Sequence, residues 1–323
     1  MSVPKKQAKK HTNASVFVPH FGCPHKCAFC NKDAITEAAK SVTVNSVADI
    51  LESHVQSLAR RNMTAEIAFF GGSFTAVEPQ LRTALLQTAN RYLQDYPELF
   101  TGIRCSTRPD CVTPQVLREL QDYNVTAIEL GAQSMDDTVL TANNRGHTAD
   151  DVRNAARLVK SYGFELGLQM MTGLYKDTPD KSLRSCDELI KLAPNTTRIY
   201  PTVVFPDTEL AVLGHVPFDE EETVELCSEV YGRFVERGIR VIRVGLNYAG
   251  NVIGEKVISR YYFKKMFEFM KSNGSTKHRI YTDKRNISKI NGHKCENKIK
   301  LAELGYSYVI KERAGAELEI YAL

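Results

Sequence analysis

Short apolar runs alternate with longer amphipathic segments up to about residue 245. Seven runs are rich in β-branched and aromatic residues and have the length of a buried strand. These runs cover residues 15–19, 65–70, 102–107, 125–131, 164–171, 197–204 and 239–244. The segments between them repeat apolar residues every three or four positions, which predicts helices with one buried face.

Helix boundaries are also readable. A first helix is predicted around Val47, Leu51 and Val55, with Asn45 or Ser46 as its N-cap. Thr148 and Asp151 have the spacing of a capping box at the start of another.

Repeated strand–helix alternation requires a parallel sheet with right-handed crossovers, either a barrel or an open doubly wound sheet. The polar segments decide between them. CPHKC, GGS, TRPD, QS and the region of Gln169 follow separate strands. Strand ends of a barrel meet on one rim, whereas an open sheet concentrates its ligands at one switch point. We therefore predict an α/β fold with a complete or partial (β/α) barrel, of a six-stranded type, over residues 15–250.

Both ends of the chain depart from this rhythm. Residues 1–14 are polar and basic, which predicts a flexible arm. Residues 251–323 predict a small α+β module, and between Glu255 and Lys300 it has thirteen Lys or Arg against four acids. A basic module can bind RNA, although charged runs are more often simply solvated.

The 323 residues are 43% hydrophobic and 25% charged, and the net charge of +4 does not by itself indicate nucleic acid. No apolar run is long enough to span a bilayer and no secretion signal is visible, which predicts a cytoplasmic protein without a membrane partner. The eight cysteines are not spaced like a disulfide framework, so reduced thiols are expected.

Three of them, Cys23, Cys27 and Cys30, form a C-x3-C-x2-C cluster directly after the first strand. Structural zinc takes four ligands, usually in two pairs, and the sequence has no second C-x-x-C. A [4Fe–4S] cluster normally takes four cysteines, so three would leave one iron open to a substrate or cofactor. Unligated thiols are a weaker alternative in a loop flanked by Gly and Pro.

With the aromatic Phe29 before the last cysteine, this pattern resembles the hallmark of the radical S-adenosylmethionine (SAM) superfamily. The resemblance implies a [4Fe–4S] cluster whose open iron is chelated by SAM, and an electron donor such as flavodoxin or ferredoxin. It also implies reductive cleavage of SAM to a 5′-deoxyadenosyl radical that abstracts hydrogen from a substrate.

The resemblance extends to residues expected to contact SAM. Gly71, Gly72 and Ser73 match the family's glycine motif, which contacts the methionine amino group. The stretch 129–148 is similar to the fourth-strand block of the Elongator catalytic subunit and of oxygen-independent coproporphyrinogen oxidase. It implies SAM contacts by Gln133 and Arg145.

Two further positions are implied less directly. Ser106 stands where the oxidase has a ribose-contacting carboxylate, and Gln169 falls at another cofactor-facing position. From the residues alone, Arg145 could form a surface ion pair, Gln133 a buried hydrogen bond and Gln169 part of a barrel layer.

Other residues near strand ends have weaker assignments. His147 is expected to cap or pack locally. Tyr200, Arg243 and Tyr248 are candidates for a substrate pocket.

The stretches 200–210 and 236–247 favour the Elongator-like side of this branch. The chain as given has no segment resembling the acetyltransferase domain, so wobble-uridine carboxymethylation is not expected to carry over. Lys32 stands where the oxidase has a further cysteine, which argues against porphyrin decarboxylation.

Residues 288–305 resemble the core of a KH RNA-binding module, with Cys295 in place of the second loop glycine. The leading hypothesis is therefore an enzyme that modifies RNA, with tRNA first. The alternatives are a radical SAM enzyme acting on a small metabolite such as a porphyrin-like substrate, or a non-catalytic metal-containing RNA-binding protein.

Overall fold

The computed structural model describes residues 9–18, 23–31, 42–246 and 251–323. Within these ranges, seven parallel strands pair with one another in chain order and form one sheet. The strands are Lys10–Val18 (β1), Met63–Gly71 (β2), Phe100–Thr107 (β3), Val125–Gln133 (β4), Glu165–Thr172 (β5), Thr196–Pro201 (β6) and Arg240–Val244 (β7). Because β1 and β7 are its edges, the curled sheet is a half-barrel. The partial barrel is thus confirmed, with seven strands where a six-stranded type was expected.

Helices follow the strands, and the longer ones cover the outer face of the sheet. In the described residues they are Val44–Arg61 (α1), Pro79–Asp95 (α2), Pro114–Asp122 (α3), Asp137–Ala142 (α4), Ala149–Ser161 (α5), Pro179–Lys191 (α6), Glu209–Val212 (α7) and Glu220–Glu236 (α8). The core lies between these helices and alternate strand residues such as Val16 and Phe69. The intervening residues, such as Ser15 and Phe70, face the interior of the half-barrel and line a cavity. No helix among the described residues is long and apolar enough to cross a membrane.

Two sequence expectations near the N-terminus are corrected. The first strand begins at Lys10, where it pairs with Met63, so residues 10–14 belong to the sheet and not to a flexible arm. Residues 1–8 lie outside the described ranges. The N-cap of α1 is Thr43, and Ser46 sits at the third helical position and completes a capping box. The predicted box of Thr148 and Asp151 is confirmed at α5.

The C-terminal segment builds a second, smaller core. Its elements are Ile253–Asn273 (α9), Lys277–Thr282 (β8), Ile287–Asn291 (α10), Glu296–Glu303 (α11), Ser307–Glu312 (β9) and Glu319–Ala322 (β10). The strands form a sheet of order β10-β8-β9, in which β8 and β9 are parallel and β10 is antiparallel to β8. Met266, Ile280 and Leu301 pack together inside it. The segment is an α+β unit, as predicted. The predicted boundary at residue 250 lies outside the described residues.

Much of the positive charge of α9 faces the barrel. Arg260 forms ion pairs with Glu221 and Glu225 of α8, each at 2.8 Å. Lys256 and Lys265 also pair with acids of that helix. These cations dock the two units together, so the basic composition of the segment overstates its free positive surface.

Candidate functional site

The carboxyl ends of the strands surround a cavity of about 640 Å³. Every side chain or glycine that the sequence singled out for metal or cofactor lines it. They are Cys23, Cys27, Phe29, Cys30, Gly71, Gly72, Ser73, Ser106, Gln133, Arg145 and Gln169. The structure therefore brings the predicted set together, and the individual roles stay predictions.

The cysteine segment is fixed by backbone hydrogen bonds from two other loops. The Ala28 amide donates to the carbonyl oxygen of Asn143 at 3.0 Å, and the Leu210 amide donates to the carbonyl oxygen of Ala28 at 3.0 Å. Asn143 is fully buried, and its side chain donates to the Tyr175 carbonyl oxygen at 2.9 Å. Cys27 and Cys30 are thus held on a segment clamped between the ends of α4 and the start of α7.

Polar groups from loops elsewhere in the chain approach two of the thiols. Arg145 Nη1 lies 3.0 Å from Cys27 Sγ, and Arg108 Nη1 lies 3.8 Å from the same sulfur. Ser73 Oγ lies 3.6 Å from Cys23 Sγ. Cationic donors beside a sulfur suit a thiol that binds metal as an anion.

The distances between the three thiols indicate which kind of metal centre they can hold. Among the described residues, no three Cys, His, Asp or Glu side chains lie close enough together to hold a single metal ion. Thiolates around one zinc converge at about 2.3 Å from a point, whereas those around an iron–sulfur cluster are spaced by the cluster itself. Three thiols that line one cavity without converging therefore fit a cluster better than a single zinc ion.

The glycine motif ends β2 beside these cysteines. Gly71 has φ +117°, and a Cβ there would lie 2.6 Å from the carbonyl oxygen of Val18. The Gly72 amide donates to that same oxygen at 3.0 Å. Glycine at position 71 is therefore required by both its backbone angle and the close approach of β1. Ser73 is buried directly after it.

Gln133 occupies a strained position at the end of β4. Its φ is +66°, and the pairing with β5 shifts register between Gly131 and Gln133. A bulge of this kind re-aims a side chain, here into the cavity. Gln133 Oε1 and Arg145 Nε are both buried without a hydrogen-bond partner among the described residues. Such atoms cost about 1–3 kcal/mol each, so a polar ligand that pairs with them fits this site.

Arg145 is a buried residue, and the surface ion-pair alternative is wrong. Its Nη2 donates to the Gly131 carbonyl oxygen at 2.6 Å, and its guanidinium lies 5.8 Å from the centre of the Phe29 ring. His147 packs locally as expected, with Nε2 3.2 Å from the Ala132 carbonyl oxygen. Burial and the nearby Arg145 lower the pKa of His147 to about 4.

Sequence reasoning missed a buried ionic network below the cavity. Arg104 bridges Glu66 at 2.6 Å and Glu129 at 2.9 Å. Arg198 Nε donates to Glu129 at 2.7 Å. Burial opposes ionisation of Glu129, but the hydrogen bonds and charge of Arg198 outweigh it and lower the pKa of that carboxyl. The available signal was a single charge inside each of four otherwise apolar strand runs.

Gln169 belongs to both the network and the cavity. Its Nε2 donates to Glu129 Oε2 at 3.1 Å and to Ser106 Oγ at 3.4 Å. Gln169 is therefore both a barrel-layer residue and a residue of the cavity lining. Tyr200 and Arg243 line the same cavity, whereas Tyr248 lies outside the described residues.

Three other barrel cysteines are separate from the three-thiol segment. Cys105, Cys186 and Cys227 are buried in the core beneath the helices. Burial raises the pKa of the Cys105 thiol to about 12. These are packing residues.

The KH-like loop of the C-terminal unit lies between α10 and α11. Gly292 has φ +83°, and a Cβ there would lie 2.5 Å from Ser259 Oγ. Lys294 and Cys295 have φ of +51° and +63°. Cys295 thus keeps the left-handed backbone that a glycine at this position would adopt more easily.

Comparison with known families gives one model that covers over half of the chain. The model described as "Radical SAM superfamily" matches residues 17–189. These residues include the three-thiol segment, the glycine motif and both Gln133 and Arg145.

Several characterised proteins are similar in sequence. A tRNA uridine(34) acetyltransferase of Dehalococcoides mccartyi is 25% identical over 232 residues, covering 62% of this chain and 50% of that protein. The Homo sapiens Elongator complex protein 3 is 26% identical over 201 residues, covering 55% and 37%. An oxygen-independent coproporphyrinogen III oxidase of Pseudomonas aeruginosa is 28% identical over 195 residues, covering 57% and 41%. The chain spans about half the length, or less, of these curated relatives.

Solved structures also share the fold over most of the chain, and one example is an archaeal protein. The archaeal Methanocaldococcus infernus Elp3, with an N-terminal deletion, superposes with a TM-score of 0.61 at 17% identity. The superposition covers 83% of this chain and 64% of that one. At this identity the likeness shows the fold alone.

Proposed function

This chain belongs to the radical SAM superfamily and is an enzyme, and on that premise we propose that it modifies RNA, with tRNA as the leading substrate. The observation that carries the proposal is that the three thiols, Gln133 and Arg145 line the same cavity. The RNA assignment is supported by relatives named for tRNA uridine 34 and for Elongator.

The cavity residues divide into two sets. Cys23, Cys27 and Cys30 would hold a [4Fe–4S] cluster, and the glycine motif with Gln133 and Arg145 would hold SAM. When bound, these groups supply one-electron cleavage of a sulfonium C–S bond and abstraction of a substrate hydrogen.

The protein's own residues position and shield that chemistry. Arg145 donates to the Cys27 sulfur and so ties the cysteine segment to β4. The unpaired Gln133 Oε1 accepts a hydrogen bond from a bound polar group. Below them, the network around Glu129 holds Gln169 and Ser106 in fixed orientations at the cavity floor. A rigid floor keeps reactants oriented, which is the main protein contribution in such enzymes.

We propose that the C-terminal unit contacts the RNA beside its KH-like loop. A groove there is lined by residues of α10, α11 and β9, among them Asn291, Lys298, Tyr308 and Lys311. Lys294 and Lys298 lie on or beside the loop and would attract phosphates. Lys256, Arg260 and Lys265 of α9 are engaged with α8 and are not included in this surface.

An electron donor is required, and we propose a small flavodoxin or ferredoxin. Residues 24–26 are exposed and lie between two of the thiols, so a donor docked there would be close to the cluster. A tRNA substrate and reduced thiols together favour the cytoplasm as the compartment.

The second candidate is a small metabolite substrate acting with the same radical chemistry. The similarity to an oxygen-independent coproporphyrinogen III oxidase supports it. Two experiments separate the possibilities.

The first experiment tests the cofactor chemistry. Anaerobically reconstituted protein with a strong reductant should convert SAM to 5′-deoxyadenosine. Cys27→Ala should abolish both iron–sulfide content and this activity, whereas Cys186→Ala, in the core, should retain both. Retention of the cluster and of SAM cleavage by Cys27→Ala would refute the assignment.

The second experiment tests the substrate. Nucleosides from bulk tRNA are compared between cells with the gene, cells without it, and cells complemented with Cys27→Ala. One modified nucleoside should disappear in the last two. An unchanged nucleoside profile would favour the metabolite.

A further inference from the structure

The charges in and beside the buried network on the inner face of the sheet do not balance. Glu66 on β2 and Glu129 on β4 are the two carboxylates of the buried network. Arg104 pairs with both of them, and Arg198 pairs with Glu129. A third guanidinium, that of Arg243, lies on β7 beside Arg198. Among these five residues there is one cation more than there are anions.

Arg243 is the cation without a paired carboxylate in the described ranges. It pairs in register with Arg198 on the neighbouring strand, so the two arginines lie side by side on the same face of the sheet. It is half-buried and lines the cavity together with Tyr200. No carboxylate in the described ranges lies within ion-pair distance of it.

A partly desolvated cation beside another cation is unfavourable until an anion joins it. Tyr200 adds a hydroxyl at the same end of the cavity. A guanidinium has a planar fork of donors that matches the oxygens of a phosphate. The β6–β7 end of the cavity is thus built to receive an oxyanion.

We propose that Arg243 binds a phosphate group of the RNA substrate, and with it positions the target nucleotide in the cavity. The proposal rests on RNA being the substrate. The predicted SAM contacts lie outside β7, among them Gly71 at the end of β2, Gln133 on β4 and Gln169 on β5. The β7 position is therefore available to a second ligand. A nucleotide extruded into an enclosed site brings its own phosphate to the rim.

Arginine-specific labelling tests the contact at the residue itself. The reconstituted enzyme is treated with phenylglyoxal alone, with SAM, with total tRNA, and with the tricarboxylate tricarballylate. Modification of Arg243 and of Arg240 is then measured by peptide mass spectrometry. Arg240 lies exposed on the same strand and serves as the internal control.

The expected result is that tRNA lowers labelling of Arg243 by about fivefold or more and leaves Arg240 unchanged. Protection by SAM alone would overturn the proposal, because the anion would then be the cofactor carboxylate. Protection by tricarballylate but not by tRNA would also overturn it and assign a carboxylate metabolite. Equal labelling of both arginines under all conditions would overturn it as well.

Matched variants provide the second measurement. Arg243→Gln should weaken tRNA binding about tenfold and reduce the slope of affinity against salt by about one. Arg243→Lys should recover part of the affinity. Arg240→Gln removes the same charge and should leave the affinity nearly unchanged, and an equal loss in both Gln variants would overturn the proposal.

The basal reaction keeps this test separate from the proposed function. Arg240→Gln lies outside the cavity and should cleave SAM without RNA at about the wild-type rate. If the wild type itself fails to cleave SAM, or the tRNA nucleosides do not change, the proposed function fails. If the wild type cleaves SAM and the tRNA nucleosides change, but tRNA does not protect Arg243, only the proposed phosphate contact fails.

Discussion

Arg145 Nη1 donates to the sulfur of Cys27 at 3.0 Å, although the two residues are far apart in the chain. The other terminal nitrogen of Arg145 donates to the Gly131 carbonyl oxygen at 2.6 Å, so one side chain connects the cysteine segment to β4. Arg108 reinforces the contact by donating to the Arg145 carbonyl oxygen.

This contact should tune the cluster. Removing the positive donor in Arg145→Gln should make reduction harder, because hydrogen bonds to cysteine sulfurs stabilise the reduced state. We expect the midpoint potential to fall by roughly 60 mV, equivalent to about 1.4 kcal/mol for one electron. A redox titration followed by electron paramagnetic resonance measures it. Arg153→Gln, at an exposed ion pair, is the control, and an unchanged potential in Arg145→Gln would contradict the prediction.

Gly146→Ala should displace the cysteine segment. Gly146 has φ +67°, and an added Cβ would lie 2.3–2.7 Å from atoms of the His25 ring. His25 would have to move, and SAM cleavage should fall roughly tenfold or more because positioning is lost. Gly163→Ala has a similar backbone penalty, with φ +82°, but its Cβ would meet no atom within 4 Å. The control should therefore lose about 1 kcal/mol of stability and keep its iron and its activity. Equal loss of iron in both variants would refute the steric explanation.

Gln133→Gly should stabilise the fold while weakening cofactor binding. Glycine adopts φ +66° without strain, so the free energy of unfolding of the cluster-free protein should rise by about 1 kcal/mol. Loss of the side-chain amide should weaken SAM binding about tenfold. Lys176→Gly is the control, since Lys176 is exposed and has φ +61°. Urea denaturation and equilibrium SAM binding test both parts, and undiminished SAM affinity in Gln133→Gly would remove that residue from the site.

Glu129→Gln should be among the most destabilising single changes in the barrel. It leaves Arg104 and Arg198 facing each other without their shared carboxylate. Breaking a buried ion pair by removing one partner costs about 3–5 kcal/mol. Glu188→Gln removes a carboxylate from a surface pair with Arg153 and should cost less than about 1 kcal/mol. Chemical denaturation measures the free energy of unfolding of both variants, and an equally small loss in Glu129→Gln would contradict the prediction.

His147 should impose a pH dependence on stability. Its pKa in the folded protein is lowered to about 4, mainly by burial, whereas an unfolded histidine titrates near 6.5. Between these values the unfolded chain binds a proton that the folded chain does not. The free energy of unfolding should therefore rise with pH across this window. As pH falls through the window, the contribution of His147, up to about 3 kcal/mol, is lost. His147→Gln should flatten the dependence in cluster-free protein, and His11→Gln, at an exposed position, should preserve it. A His147→Gln profile as steep as that of the wild type would contradict the assignment.

Local pattern was sufficient where one strand or helix determines its own conformation. The apolar runs predicted the parallel strands because both faces of such strands avoid water. The capping pair Thr148 and Asp151 marked the start of α5 because it bonds only to its own first turn. Cys23, Cys27 and Cys30 were recognisable because ligands on one short loop have a readable spacing.

Contacts between distant segments were not readable in this way. Residues 10–14 have a polar composition and become strand only by pairing with β2, so the pattern indicated an arm. Gln133 takes its left-handed backbone from the bulge between β4 and β5. The cations of α9 look available for RNA until α8 supplies their acids.

The amino-acid sequence alone determined the strand–helix alternation, the three-thiol loop and the kind of chemistry it supports, since each depends on residues near one another in the chain. Only the tertiary structure decided which charges cancel and which remain. Glu129 neutralises Arg104 and Arg198 because three strands bring them together, and the same packing leaves Arg243 facing the cavity. Electrostatic balance depends on distances between strands, and no local pattern encodes those distances.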